Sequence, residues 1–483
     1  MKYNLACGLE VHCQLAAPHK LFSVARSTFA ERPNSRVAFF DAALPGSQPR
    51  LNAYAVLLAV KAAIGLGCGV SRRSTFERKH YFYPDQPSGY QITQHYNPLA
   101  RKGQVKLFAG EGVDQTSYIG ISHVQLEQDT GKTIYTPEGT LVDLNRTGTA
   151  LIEIVTTPTI TTPAAAGATL GKIRAILRAV GASEANMEAG QMRCDVNVSI
   201  SAEEAGLGKR NEIKNLASIR SVTDAVAAEY AYQSSVLASG QRLVSETRGY
   251  DVQKGTTFPL RKKEGDVDYR YMPEPDLPPV LVHEDLVSKC QEQQPELPDE
   301  TFQRLTSDPH GLSAIDAKAL MSNSQKLKYY DEVVRSVPET MKSAGNWIIH
   351  ELSGRLGLVG LDFASCPVDT ARMADLLRET ANQTISGSSG KILLQRMLDG
   401  DSRSIKELSV ELGMRTTRPS DDHMRELCHA LLQEYPKQAD ELRNGKMSLL
   451  KYFVGRAMQK QKGNLNSLEF ERVLREVCLP RSE

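Results

Sequence analysis

Up to about residue 285 the chain repeatedly alternates apolar and polar side chains with a period of two. Beyond that point the alternation gives way to the spacing of amphipathic helices. The clearest stretch is Gly8-Leu9-Glu10-Val11-His12-Cys13-Gln14-Leu15. Side chains alternate faces along a strand, so Leu9, Val11, Cys13 and Leu15 share one face while Glu10, His12 and Gln14 share the other. One such polar row is also what the wet side of any half-buried sheet shows, but here the pattern recurs. In residues 119–129, His123, Gln125, Glu127 and Asp129 line one face against Val124 and Leu126. In Leu151-Ile152-Glu153-Ile154-Val155 a single carboxylate interrupts an apolar strand, a costly arrangement unless the charge is paired or metal-bound. In residues 193–200, Arg193, Asp195, Asn197 and Ser199 oppose Cys194, Val196, Val198 and Ile200.

Two clear helices interrupt these strands. The first runs from Asn52 through Lys61 and is stopped by Gly65-Leu66-Gly67. The second follows Thr162-Pro163 and places Leu170, Ile173, Ile176 and Leu177 on one face. Pro273-Glu274-Pro275-Asp276-Leu277-Pro278-Pro279 must be extended and closes the strand-rich part. From about residue 286 helical segments dominate, separated by residues 295–298, Pro309-His310-Gly311, residues 386–390 and Arg418-Pro419-Ser420. The pattern predicts an α+β protein with a sheet-rich head and a helical tail.

If the polar rows belong to neighbouring strands, Glu10, His12, Glu127, Asp129, Glu153 and Asp195 gather on one concave face. Oxygen ligands with one imidazole suit Mg²⁺ or Mn²⁺ better than zinc, and so many carboxylates would repel without a cation. Arg78, Lys79, Arg193, Lys214 and Arg270 are candidate anion-binding groups for the same face, and Gly89-Tyr90-Gln91 would let backbone approach a ligand.

Composition narrows the possibilities. With 483 residues, 41% hydrophobic and 24% charged, the chain has room for several ordinary globular domains. A formal net charge of +1 gives no overall attraction to nucleic acid or membrane, so an anionic partner must be held by local patches. No apolar run reaches the length of a membrane span, and no integral membrane segment is expected. The eight cysteines contain no C-x-x-C pair, which argues against a zinc knuckle or a disulfide framework and for a reducing compartment. Gly387-Ser388-Ser389-Gly390-Lys391 is too short between its glycines for a Walker A loop and reads as a helix start. No G-x-S-x-G elbow appears.

At this point the motifs themselves are informative. Gly8-Leu9-Glu10-Val11-His12-Cys13-Gln14-Leu15, Leu44-Pro45-Gly46, Arg78-Lys79-His80-Tyr81-Phe82-Tyr83-Pro84-Asp85 and Gly89-Tyr90-Gln91-Ile92-Thr93-Gln94 occur in order. Val142-Asp143-Leu144-Asn145-Arg146, Met192-Arg193-Cys194-Asp195-Val196-Asn197-Val198-Ser199, Glu212-Ile213-Lys214-Asn215-Leu216 and Asp268-Tyr269-Arg270-Tyr271-Met272-Pro273-Glu274-Pro275-Asp276-Leu277 follow. The chain resembles, along nearly its whole length, the GatB family, the B subunits of aspartyl/glutamyl-tRNA amidotransferases. Tyr452-Phe453-Val454-Gly455-Arg456-Ala457-Met458 looks like that family's YqeY-type tail.

The resemblance implies a large antiparallel-sheet cradle domain over 1–285, an all-α helical domain over 286–400 and a small helical YqeY-like tail over 401–483. It implies ATP-dependent phosphorylation of the side chain of misacylated Glu-tRNA(Gln), or in some systems Asp-tRNA(Asn), followed by amidation with ammonia. That ammonia would come from a partner glutamine amidase, with a small C-like or F-like third protein clasping the pair. On this view Glu10, His12, Glu127 and Glu153 are catalytic and hold Mg²⁺, with Asp129 and Asp195 nearby as further candidates. Lys79, Tyr81, Arg193, Asp195 and Lys214 contact ATP or substrate. Lys446, Lys451, Arg456, Lys460 and Lys462 form a basic stretch for tRNA phosphates. A non-catalytic scaffold that only presents tRNA is the competing reading. One departure stands out. Bacterial relatives carry paired cysteines after Lys-Leu-Phe, whereas here Lys20-Leu21-Phe22 is followed by Ser23-Val24-Ala25 and later by Val37-Ala38-Phe39-Phe40-Asp41. No structural zinc is expected, and Phe39-Phe40 is expected to pack in its place. The pattern looks like mitochondrial members, implying the matrix and a presequence outside this numbering, and otherwise the cytoplasm.

Overall fold

The computed structural model describes the chain except for residues 1–2, 29–30, 203–207, 263–267, 416–420, 445, 461–466 and 479–483, and the side chains of 261–262, 421 and 467–468. Two of the places singled out in the sequence, Arg418-Pro419-Ser420 and Lys462, therefore lie outside the described residues. The described chain forms two compact units, Met1–Asp299 and Glu300–Glu483.

In chain order the first unit contains β1 (Asn4–Gln14), α1 (Ala53–Gly65), β2 (Gly69–Val70), β3 (Arg73–Ser74), β4 (Glu77–His80), β5 (Tyr90–Thr93) and β6 (Ala100–Leu107). Next come β7 (Ser117–Gln128), β8 (Lys132–Thr136), β9 (Gly139–Asp143), β10 (Ala150–Thr156), α2 (Pro163–Ala179), β11 (Met192–Ser201) and β12 (Asn211–Leu216). It ends with α3 (Ile219–Ala238), β13 (Glu246–Asp251), β14 (Thr256–Lys262), β15 (Met272–Pro273), β16 (Val280–Leu281) and α4 (Glu284–Glu292). Twelve of the strands form one sheet in the order β14-β13-β12-β11-β1-β10-β7-β5-β4-β15, with β6 on β7 and β2 on β6. All its pairings are antiparallel except β12 with β13. The α+β architecture follows the sequence expectation, with that one parallel pair as an addition.

β1 sits at the centre because both its neighbours are long, β10 on one side and β11 on the other. Its alternation is expressed as written: Leu5, Cys7, Leu9, Val11 and Cys13 are buried, while Glu10, His12 and Gln14 are only half-buried. The apolar side packs with Leu170, Ile173 and Leu177 of α2 and Val222, Ala225 and Val226 of α3 in one continuous core. Burying each Leu, Ile or Val there contributes about 1.5–3 kcal/mol, which locks the register. A slip of one residue would exchange the two faces of β1.

The two helices read from the sequence form with side-chain caps. Asn52 accepts from the amides of Tyr54 and Ala55, and Thr162 accepts from Ala165 with Pro163 in the first turn. α3, capped by Ser218, is a third helix that the sequence pattern did not separate. The helix start at residue 387 forms as expected, with Ser386 accepting from the Ser389 amide at 3.2 Å.

The expected packing of Phe39-Phe40 is half right. Phe40 lies against the core, but Phe39 is 76% exposed. What joins the two loop segments is charge: Lys20 Nζ donates to Asp41 Oδ2 at 2.9 Å and to the Leu144 carbonyl at 3.2 Å. The same Asp41 oxygen accepts from Ser23 Oγ at 3.2 Å and the Ala38 amide at 2.9 Å. Lys20 is fully buried. Burial pulls its pKa below the ordinary lysine value, against the opposing pull of Asp41.

In the second unit the described residues fold into helices around two apolar clusters. One includes Leu305, Tyr330, Ile348, Leu377, Leu394 and Leu408. The other includes Leu431, Leu442, Phe453, Phe470 and Leu474.

Candidate active site

Helices cover the apolar face of the sheet, so the polar rows of its central strands lie on the opposite face. Register decides which polar residues meet. His12 is opposite Glu153 on one side and Arg193 on the other. Glu153 is opposite Gln125, and Leu151 is opposite Glu127. Thr93 is opposite Glu127, and Lys79 is opposite Gln91.

The result is a group of three. One ligand atom each from His12, Glu127 and Glu153 lie within 4.8 Å of one another, and His12 Nε2 is 3.7 Å from Glu153 Oε1. Neutral donors hold the carboxylates from behind. Gln91 Nε2 donates to Glu127 Oε1 at 2.7 Å and Thr93 Oγ1 to Glu127 Oε2 at 2.8 Å. Gln125 Nε2 donates to Glu153 Oε2 at 2.6 Å and to Thr93 Oγ1 at 3.1 Å. Gln91, Thr93 and Gln125 are themselves buried. These three were not singled out as functional in the sequence. The signal was present in Gln91-Ile92-Thr93, whose alternation puts both polar residues on one face.

The electrostatics favour a cation at this position. The Glu153 carboxyl is pushed up to about 7, first by burial, with Glu127 and Glu10 adding to the rise and His12 and Lys79 opposing it. Lys79 shows the reverse balance. Burial would lower it, but Glu127 first, then Tyr271, Glu153 and Tyr269, hold the ammonium above its ordinary pKa. Its Nζ also lies 5.0 Å from the centre of the Tyr269 ring. His12 Nδ1 is buried and has no hydrogen-bond partner among the described residues, an expensive state for an imidazole nitrogen. An oxygen-rich trio with one under-used imidazole suits a hard divalent cation, so the residues present fit Mg²⁺ or Mn²⁺.

The remaining expected site residues are distributed around this trio. Glu10 shares the face but lies outside the group of three, and its Oε1 accepts from Asn197 Nδ2 at 2.7 Å. Asp129 is engaged by Arg146 at 3.3 Å and Arg193 at 3.4 Å. Asp195 accepts from the Asn215 amide at 2.8 Å and lies 3.4 Å from Lys214 Nζ. Lys214 also pairs with Glu212 at 2.8 Å. Burial lowers its pKa, but those two carboxylates lift it above normal. Arg193, Asp195 and Lys214 therefore carry partners of their own in this state. Tyr81 points its hydroxyl to Gln91 Oε1 at 3.5 Å, and burial raises its pKa. Arg78 forms a two-pronged pair with buried Glu274 at 2.7 and 2.8 Å, which ties residues 272–276 to β4. Arg270 is exposed and its carbonyl bonds His80 Nδ1 at 2.9 Å.

Aromatic rings wall the site on the side of β4 and β5. His95 stacks on Tyr271 with centroids 3.8 Å apart and planes 2° from parallel, and Tyr269 meets both Tyr271 and Tyr81 edge-on.

In the tail, Lys446 pairs with Glu441 at 2.8 Å and Lys460 with Glu434 at 2.6 Å. Arg456 sits over Tyr435 and Tyr452 at 5.2 and 5.4 Å. Lys451 is exposed.

Comparison with known proteins is consistent along the chain. Residues 5–288 match the GatB/GatE catalytic domain model, and residues 328–478 match the GatB domain model. The mitochondrial glutamyl-tRNA(Gln) amidotransferase B subunit of Aspergillus fumigatus is 40% identical over 100% of this chain and 86% of its own length. A protein of the same name from Neosartorya fischeri is 40% identical with the same coverage. One from Ajellomyces dermatitidis is 40% identical over 99% of this chain and 85% of its own length. Among the described residues no helix is long and apolar enough to cross a membrane.

Proposed function

For a chain that belongs, over its full length, to the GatB family of tRNA amidotransferases, we propose that it amidates the glutamyl group of misacylated Glu-tRNA(Gln). The observation that carries the reading is the His12–Glu127–Glu153 group beside a lysine kept charged by the same carboxylates. In the first step an oxygen of the substrate side-chain carboxylate attacks the γ-phosphorus of ATP, a P–O bond to ADP breaks, and an acyl phosphate forms. In the second, ammonia attacks the acyl carbon, the C–O bond to phosphate breaks, and the proton shed by nitrogen passes to neighbouring carboxylates.

His12, Glu127 and Glu153 would hold Mg²⁺, with Glu10 beside them. When bound, the ion neutralises charge building on the transferring phosphoryl group. Gln91, Thr93 and Gln125 fix the carboxylate orientations. Lys79 and Tyr81 face incoming phosphate or carboxylate oxygens, and Arg193, Asp195 and Lys214 exchange their present partners for ligand. Ammonia comes from a partner amidase, a small third protein completes the assembly, and the tail contacts tRNA through Lys446, Lys451, Arg456 and Lys460. The Lys20–Asp41 pair supports a loop that needs no structural zinc. The mitochondrial names of the relatives support action in the matrix.

The test is ATP hydrolysis and Gln-tRNA formation by the chain with its amidase partner and charged tRNA. Glu127→Gln is expected to abolish both while tRNA still binds. Full transamidation by this variant would overturn the reading and favour a scaffold.

A further inference from the structure

Lys79 feels the carboxylates of Glu127 and Glu153, yet it bonds to neither. The oxygens of those carboxylates already have neighbours. Gln91 Nε2 donates to Glu127 Oε1 at 2.7 Å, Thr93 Oγ1 to Glu127 Oε2 at 2.8 Å and Gln125 Nε2 to Glu153 Oε2 at 2.6 Å, and His12 Nε2 lies 3.7 Å from Glu153 Oε1. Among the described residues the Lys79 ammonium makes no hydrogen bond and no ion pair. Its close partner is the face of the Tyr269 ring, whose centre is 5.0 Å from Nζ. A ring face attracts a cation through its quadrupole, and unlike a carboxylate it neither neutralises the charge nor takes up a hydrogen. The three N–H donors of the ammonium stay available to oxygens that enter the site.

That ring is itself held from several sides. The His80 amide donates to the Tyr269 carbonyl at 3.0 Å, and the Arg270 carbonyl bonds His80 Nδ1 at 2.9 Å. Arg270 has φ +47°, a left-handed conformation uncommon outside glycine, and its amide donates to Asp268 Oδ1 at 2.9 Å. The turn sets the rings of Tyr269 and Tyr271 6.0 Å apart at 66°. Tyr271 stacks on His95 at 3.8 Å, whose amide donates to buried Glu77 at 2.6 Å. Tyr81 meets Tyr269 edge-on at 6.5 Å. Farther along, the two-pronged Arg78–Glu274 pair fastens the segment to β4, the strand that carries Lys79. Strained backbone persists only where its surroundings over-determine it, and it clusters at functional sites.

We propose that Tyr269 is a positioning residue for the reaction: its ring face holds the Lys79 ammonium beside the trio with its hydrogens free for substrate oxygens. The proposal rests on the phosphoryl-transfer reading of the trio and names the group that aims its lysine. A lysine bound to a carboxylate would have to break that pair before reaching a phosphoryl oxygen. One held on a ring turns its donors toward negative charge as that charge develops, which favours the transition state over bound substrate.

The test measures kcat and the KM for charged tRNA with the full chain and its amidase partner. Tyr269→Leu, which keeps apolar bulk and loses the ring, is expected to lower kcat about 10- to 100-fold with the KM for tRNA unchanged. Tyr269→Phe, which keeps the ring face, should restore most of the loss. Mono-, di- and trifluorophenylalanine at position 269 keep the shape of phenylalanine and withdraw charge from its face, so kcat should fall with each added fluorine. This series decides the matter even where the leucine variant fails to fold. Equal kcat for the leucine and phenylalanine variants, or equal kcat across the fluorinated series, overturns the positioning role. Lys79→Met separates the two ideas. If it is inactive while the fluorinated series stays flat, the positioning role falls alone. If it transamidates at the full rate, the function assigned to the site falls as well.

Discussion

Glu153→Gln should abolish transamidation and, in the absence of divalent ion, make the protein more stable. The magnitude follows from the lifted carboxyl. Raising it from 4.5 to about 7 means that ionising Glu153 in the fold costs about 3 kcal/mol more than in the unfolded chain. Below pH 4.5 both states hold the proton and nothing is lost. As pH rises from 4.5 to about 7 the unfolded chain releases its proton first, so the folded state loses stability, and above 7 the penalty is complete. The wild-type protein in EDTA should therefore melt several degrees lower at pH 8 than at pH 5 from this group. The glutamine variant, which keeps a carbonyl oxygen for Gln125 Nε2, should lack that slope. Adding Mg²⁺ at pH 8 should raise the melting temperature of the wild type and leave the variant unchanged. Thermal melts of the full chain at both pH values, with and without Mg²⁺, measure all of this. Parallel pH profiles for the two proteins would refute the claim that the trio stores uncompensated charge.

Other consequences follow from the same contacts. Gln125→Leu removes the donor to Glu153 and should weaken Mg²⁺ binding about 10- to 100-fold, read by calorimetric titration, with tRNA affinity unchanged. Lys20→Met leaves Asp41 buried without its cation and should cost about 3–5 kcal/mol in denaturant unfolding, whereas the double variant Lys20→Met/Asp41→Leu should recover most of it. Lys451→Ala should weaken tRNA binding and lower its salt slope by about one. Lys446→Ala should do less, because Lys446 already pairs with Glu441 at 2.8 Å.

What the sequence made legible is what depends on local period. Glu10, His12, Gln125, Glu127 and Glu153 fall on predictable faces because alternation along a strand is set within a few residues. Which of them meet is set by register between strands far apart in the chain. His12 faces Glu153 directly, whereas Glu10 lies one step along, opposite Val155, and stands outside the trio with Asn197. Nor does alternation reveal that a carboxylate is already claimed, as Asp129 is by two arginines and Asp195 by Lys214. α3 escaped detection for a related reason. Its inward stripe contains Glu229 and Gln233, both fully buried, which breaks the apolar spacing that announces a helix. Those residues are satisfied by distant partners: Asn211 and Thr257 donate to Glu229 at 2.8 and 2.6 Å, Arg248 lies 3.0 Å from it, and Gln233 donates to the Val198 carbonyl at 3.1 Å. Phe39 erred the other way, an apolar residue in a loop whose closure is ionic. In each case the missing information was the identity of a partner distant in sequence, and the polar groups, which need specific partners when buried, were where it mattered most.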